Sequence, residues 1–281
     1  MKTDAYAEIT NRIIESLEAG NIPWLKPWKD SNRGNPAIPH NAVTGRNYNG
    51  INYILLTMSE FDSTGWLTYK QAKELKGNVR KGEKGTKIVF WKFGKNKDAD
   101  TGEESSYAMV RQYTVFNVDQ CENLVLPKRR EVTEVEIPST LEIAEAAGAE
   151  VIHGGNKAAY YPTQDHITMP AAGQFHSEDG YSSTLLHELT HWTGSKKRLD
   201  RNFGDRFGSE SYAFEELVAE LGSAFLCAES GIRLENLQHD SYIKNWLKVL
   251  KNDKKAIFTA SSKARISTEY ILNKGEITEY K

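Results

Sequence analysis

His187-Glu188-Leu189-Thr190-His191 sets two imidazoles four residues apart with a carboxylate beside the first. Four residues make about one helical turn, so on a helix both rings can reach the same point and bind one metal ion. Leu185, Leu186, Leu189 and Trp192 supply an apolar stripe on a different face. The segment therefore predicts a helix that buries its leucines and presents its polar trio. Glu188 then stands beside the metal, where a carboxylate can take a proton from a polarised water and return it to a leaving amine. That is the chemistry of peptide-bond hydrolysis.

Such a site needs a third protein ligand. The stretch SYAFEELVAELGSAFLC carries Glu215, Glu216 and Glu220, 24 to 29 residues beyond His191, within an otherwise apolar helical pattern. Buried carboxylates are costly unless paired or metal-bound, and Glu216 and Glu220 share one face. Glu216 is read as the ligand and Glu220 as the group that orients a histidine through its free N–H, with the reverse assignment left open. The expected ion is Zn2+, one per chain. His166 and His176 precede the motif by 21 and 11 residues and read as loop or strand histidines; Tyr160, Tyr161 and Tyr181 read as packing residues.

A second constellation lies in the first half. Binders of single strands combine a positive groove with aromatic faces on which bases stack. Trp24, Tyr48, Trp66 and Trp91, with Trp28, are interleaved with Lys26, Arg46, Lys70, Arg80, Lys81, Lys84 and Lys87. PWLKPW and TGRNYNGIN place aromatics in irregular loops, where burial is harder to arrange. GNVRKGEKGTKIVFWK reads as a glycine-punctuated basic turn entering a strand, whose backbone N–H groups and lysines can hold phosphates. The competing explanation is that the tryptophans fill a small core and the lysines keep it soluble.

Charge favours the first reading. Residues 1–130 hold 20 Lys/Arg against 15 Asp/Glu and residues 131–281 hold 16 against 23, so a formal net charge of −2 conceals halves of +5 and −7. From Lys70 to Lys97 ten basic residues face two acids, a field that attracts a polyanion whatever its sequence.

The elements that must position these groups are legible in outline. A chain of 281 residues is longer than one ordinary core needs. An amphipathic helix fits 4–19, closed by Gly20; 21–50 is a Pro-, Gly- and Asn-rich loop; 51–60 reads as a helix. Residues 66–76 form a short strand or turn leading into the helix TYKQAKELK, and 86–93 and 107–118 pair as a hairpin through 94–106. LPKRREVTEVEIPST reads as a linker. Beyond it come the helix LEIAEAAGA, short strands near 158–161 and 166–169, and helices at 181–193, 211–229, 241–252 and 255–273. Gly194 and Gly231 stand where helices end. The expected fold class is α+β: a small N-terminal α+β domain over 1–126, a linker over 127–139 and a mainly helical domain over 140–281.

No window approaches the roughly 18 apolar residues of a membrane span, and the N-terminus carries acids where a signal peptide needs an apolar core. A cytoplasmic protein without a membrane partner is expected. Cys121 and Cys227 lie far apart in apolar settings and read as buried reduced thiols.

NPAIPHNAVTGRNYNGINYILL, GWLTYKQAKELKGNVRKGEKGTKIVFWK, STLLHELTHWTG and YAFEELVAELGSAFLC together make a chain that resembles the ArdC antirestriction proteins of conjugative plasmids over nearly its whole length. The resemblance implies an N-terminal single-stranded-DNA-binding domain similar to part of some plasmid primases. It also implies a C-terminal zincin-like domain, with His187, Glu188 and His191 as site residues and Glu216 as third ligand. The implied role is protection of plasmid DNA from host restriction as it enters a new cell. The expected partners are single-stranded DNA and a protein substrate such as a restriction-system component; the resemblance leaves the peptidase's activity and substrate open, and the alternative is a DNA-binding shield whose zinc is structural or vestigial.

Overall fold

The computed structural model describes residues 4–25, 38–59, 61–97, 104–127, 139–203, 209–232 and 240–272. The fold is α+β, with an N-terminal unit built on a sheet and a mainly helical C-terminal unit. Unit 1 comprises Met1–Glu8 and Pro39–Arg129, and unit 2 comprises Ile9–Ile38 and Arg130–Lys281. Among the described residues, 9–25 and 38 thus group with the second unit. In α1 (Ala5–Glu18), Thr10 Oγ1 donates to the Lys254 carbonyl at 2.7 Å.

In unit 1, β1 (His40–Asn41), α2 (Ile51–Thr57), β2 (Gly65–Leu67), α3 (Tyr69–Glu74), β3 (Asn78–Val79), β4 (Thr86–Lys97), β5 (Glu104–Asn117) and β6 (Cys121–Glu122) follow in order. The main sheet runs β1-β2-β5-β4, and β3 pairs with β6. Gly50 has φ 56°, which lets the chain turn into α2, all seven of whose residues are buried. From α2, Asn52 caps the free edge of β4 at Val89: its Oδ1 accepts from Val89 N and its Nδ2 donates to Val89 O, both at 2.8 Å. An edge strand left open would be a template for foreign strands. Thr68 caps α3, accepting from Gln71 N at 3.2 Å while Gln71 accepts from Thr68 N at 2.9 Å. The core joins Leu56, Trp66, Ile88 and Val115, with Tyr48 and Phe61 packed against them. The hairpin strands run further than 86–93 and 107–118 suggested.

Unit 2 continues with α4 (Thr140–Ala147), β7 (Glu150–His153), β8 (Ala159–Tyr161), β9 (His166–Met169), α5 (Glu178–Thr193), α6 (Glu210–Glu229), α7 (Asp240–Asn252) and α8 (Ala256–Ile271). The strands form a sheet of order β7-β9-β8. Strand β7 escaped the sequence reading because EVIH is short and half polar. Leu185, Leu186, Leu189 and Trp192 sit in one core with Ile143, Ile167, Met169, Leu226, Cys227 and Ile271. The leucines flanking the HExxH motif therefore anchor α5 to α4, α6, α8 and the sheet, which fixes the face left for the histidines. Gly231 takes the left-handed φ of a helix terminator at 62°, whereas Gly194 does not, with φ −75°. Gly194 is needed for space: a Cβ there would lie 2.7 Å from the Phe203 ring and 2.9 Å from Arg201.

Cys227 is buried and Cys121 only partly so; both are free. Among the described residues no helix is long and apolar enough to cross a membrane.

Candidate metal centre and nucleic-acid face

Helix α5 carries His187 and His191 one turn apart, their ring centroids 4.9 Å from each other and their planes at 77°. Helix α6 brings Glu216 to them. His187 Nε2 lies 3.5 Å from Glu216 Oε2 and His191 Nε2 lies 3.7 Å from Glu216 Oε1. Ligand atoms of these three residues fall within 4.8 Å of one another, a donor set that fits a divalent ion of zinc's size. Each ring turns its other nitrogen to a different carboxylate: Nδ1 of His187 to Glu220 Oε2 at 3.6 Å, and Nδ1 of His191 to Glu215 Oε1 at 3.3 Å.

The two helices come this close because small residues line their crossing. A Cβ on Gly222 would lie 2.4 Å from Thr190 Cγ2, and Ser223 Oγ donates to the Ser183 carbonyl at 2.8 Å. Glu188 points to the sheet side, where its Oε2 accepts the backbone N–H of Tyr160 on β8 at 2.8 Å. That bond holds the carboxylate beside the histidine pair.

Sequence reasoning missed three participants. Glu215 was seen but given no role. Tyr212, one turn before Glu216, hydrogen-bonds its carboxylate, and Tyr242 on α7 hydrogen-bonds Tyr212. Burial and then Glu216 raise the Tyr212 pKa far above the usual phenol range, so the phenol stays a donor. Nothing short of the α7 packing would have revealed Tyr242. Tyr160, Tyr161 and Tyr181 lie elsewhere: Tyr160 bonds Asp165 and Arg198, Tyr161 stacks on His166, and Tyr181 is buried against His153.

Burial alone would keep His191 neutral, yet Glu215 and Glu216 outweigh it and raise its pKa to about 9. His187 is likewise raised well above its ordinary value, with Glu216 and Glu220 overcoming burial. Burial opposes charge on Glu216 too, and the two histidines hold it well below the carboxylate range. A raised folded-state histidine pKa adds stability to the metal-free protein that is complete below about 6.5 and lost as pH rises through about 9. A metal needs the neutral ring, so its apparent affinity should rise across that interval, by about tenfold per pH unit for each proton displaced. Mn(II) titrations between pH 6 and 9, with proton release measured in weak buffer, check this; a pH-independent affinity would contradict it.

The residues singled out for nucleic acid separate. Trp24 is 1 % exposed and packs edge-on to Trp246 with centroids 5.6 Å apart, in unit 2. Trp66 is also 1 % exposed, in the unit 1 core. Neither offers a face to a base, because each was needed to fill a core. Tyr48 is half-buried against the same core as Trp66. Lys26 and Trp28 lie outside the described residues. Arg46, Lys70, Arg80, Lys81, Lys84 and Lys87 are exposed, though Lys70 pairs with Glu74, Arg80 with Glu83 and Lys87 with Glu8. Trp91 is 38 % exposed on β4.

The hairpin adds a face that the sequence reading overlooked. Ile88 and Val115 face the core, and the residues that continue their side of the sheet emerge into solvent: Phe90 opposite Arg111, Lys92 opposite Met109, and Tyr113 opposite Ile88. Phe90 and Tyr113 are 46 % and 47 % exposed, with rings edge-to-face at 5.4 Å. The available signal was strand geometry, which puts Ile88, Phe90 and Lys92 on one side of β4.

Comparison with known proteins matches residues 3–116 to the family described as the N-terminal domain of anti-restriction factor ArdC, and residues 138–263 to the zincin-like metallopeptidase family. A metal-free crystal structure of the antirestriction protein ArdC from the R388 plasmid is similar at TM-score 0.81 and 40% identity, covering 96% of this chain and 97% of that one. A Mn(II)-bound structure of the same protein is similar at TM-score 0.78 and 39% identity, covering 99% and 100%. An uncharacterized protein, y4eC, of Sinorhizobium fredii (strain NBRC 101917 / NGR234) is 37% identical over 94% of this chain and 90% of its own length. Two DNA primases TraC of Escherichia coli are each 39% identical over 97% and 94% of this chain, which spans only 27% and 19% of their lengths.

Proposed function

The chain belongs to the ArdC antirestriction family, and we propose that it protects incoming plasmid DNA from restriction in the recipient's cytoplasm by binding single-stranded DNA through unit 1 and hydrolysing a peptide bond at a zinc centre in unit 2. The observation that carries this reading is the convergence of His187, His191 and Glu216 with Glu188 held beside them. His187, His191 and Glu216 would hold the ion, and Mn(II) in the R388 relative supports a divalent one. When bound, the ion supplies the positive charge that activates a water and polarises a carbonyl. Glu188 accepts the water's proton and delivers it to the leaving nitrogen. Glu220 and Glu215 orient the two imidazoles. The substrate fitting an antirestriction role is a protein of the restriction system.

Glu188→Gln tests the reading, because it removes a base while sparing every ligand. The variant should retain stoichiometric metal and lose protection in matings into a restricting recipient, with transfer into a non-restricting recipient unchanged. Full protection by this variant would instead favour a shield that covers DNA without hydrolysis, a reading that the exposed hairpin face supports.

For DNA, Phe90 and Tyr113 are assigned base stacking, with Arg111 and Lys92 beside them for phosphates. Phe90→Ala or Tyr113→Ala should each cost about 1–3 kcal/mol of single-strand affinity with the salt slope unchanged, whereas Lys81→Ala or Lys84→Ala should flatten the slope. Trp24→Ala should instead cost about 3–5 kcal/mol of stability, as a core truncation. Fluorescence anisotropy of a labelled oligonucleotide across a salt series, with thermal melts alongside, distinguishes the three; unchanged affinity in both hairpin variants would rule out this face.

A further inference from the structure

The two histidines of the centre differ in what stands behind them. His187 turns Nδ1 to Glu220, while His191 turns Nδ1 to Glu215, which is itself gripped by Arg201. Arg201 is 6 % exposed and lies just beyond α5. Its Nε reaches both carboxylate oxygens of Glu215 at 3.2 and 3.0 Å, and its Nη2 reaches Oε1 at 2.8 Å. The remaining donors tie the guanidinium to the helices. Nη1 donates to Thr193 Oγ1 on α5 and Ser267 Oγ on α8, both at 2.8 Å, and Nη2 to the Thr190 carbonyl at 2.7 Å. A buried guanidinium with this many partners is a fixed point, and a carboxylate clamped on it cannot swing.

We propose that Arg201 is a positioning residue for the metal centre, acting through Glu215 to hold His191 Nε2 aimed at the point that His187 and Glu216 share. The inference rests on the metal reading above and names a residue that the HExxH pattern does not contain. Without Arg201 the Glu215 carboxylate loses the clamp on both its oxygens and is free to rotate away, which releases His191 from its orientation.

A cavity of about 340 Å³ opens onto this pair; Arg201 and Glu215 line it together with Phe214, Val249, Thr259 and Lys263. It provides a route by which a small cation can replace a deleted guanidinium. The full-length Arg201→Ala variant, titrated with Mn(II) and followed by electron paramagnetic resonance, should bind the ion about 10–100-fold more weakly than the parent, the range for loss of a partner behind a ligand. Millimolar ethylguanidinium should recover most of that loss and ethylammonium should not, because only the planar fork can grip both oxygens of Glu215. The zero-field splitting of bound Mn(II) should return to the parent's value with ethylguanidinium. Parental affinity in Arg201→Ala, or a loss that ethylguanidinium does not repair, overturns the relay. Should Arg201→Ala fail to fold, Glu215→Gln decides: weakening by tenfold or more supports the relay, and parental affinity overturns it. Absence of Mn(II) uptake by the parent protein would instead overturn the metal site itself, and the relay with it.

Discussion

Replacing Glu216 by alanine is expected to abolish tight metal binding while leaving a folded protein. Among the described residues, Glu216 is the one carboxylate that faces Nε2 of both histidines, at 3.5 and 3.7 Å, whereas Glu220 and Glu215 each face one Nδ1. Removing a ligand leaves a two-histidine site, which cannot compete with water and buffer for the ion. Removing an orienting carboxylate leaves all three ligands in place, with a cost of about 10–100-fold. The order of effect should therefore be Glu216→Ala far above Glu220→Ala and Glu215→Ala, with the first exceeding a hundredfold. Titration of the three purified variants with Mn(II), each checked for helix content, measures this. A larger loss in Glu220→Ala than in Glu216→Ala would exchange the two glutamates' roles. The metal-free Glu216→Ala protein should also have lower histidine pKa values than the parent, since Glu216 contributes to both, while Glu215 and Glu220 still act on one ring each.

Which parts of this arrangement were legible in the sequence follows from how far each contact reaches along the chain. His187, Glu188 and His191 lie within one helical turn, so spacing alone places them together, and the leucines of LLHELTHW state which face goes inward. Glu216 and Glu220 were recoverable because charge inside an apolar helix demands a partner. Arg201 was not recoverable, because its partners come from α5, α6 and α8 and it lies in a segment with no periodicity. Tyr242 is hidden for the same reason.

The tryptophans misled in a different way. Trp24 sits in a Pro-rich loop that suggested exposure, yet the loop carries it onto Trp246, more than two hundred residues away, and nothing local encodes that. Phe90 and Tyr113 lie in ordinary strand sequence. Their exposure results from the hairpin extending past the core formed by Trp66, Ile88 and Val115.

Gly222→Ala should disable the centre without touching any of its ligands. The added Cβ would meet Thr190 at 2.4 Å from Cγ2, 2.6 Å from Oγ1 and 3.0 Å from Cβ. Thr190 cannot yield easily, since it is fully buried, β-branched, and bonded through Oγ1 to the Leu186 carbonyl at 2.8 Å. The helices must separate instead. Such overpacking costs about 1–3 kcal/mol of stability. The larger effect falls on the metal: Glu216 rides on α6 and the histidines on α5, so separation moves the carboxylate away from both rings. A loss of affinity beyond a hundredfold is expected, exceeding that of any orienting residue. Thr190→Ala added to Gly222→Ala removes both atoms nearer than 3.0 Å, and the pair should regain part of the lost affinity, a coupling that independent damage at two sites would not produce. Mn(II) titration and thermal melts of the two single variants and the double variant form the cycle. Equal affinity for parent and Gly222→Ala would show that the close crossing of α5 and α6 does not set the ligand geometry.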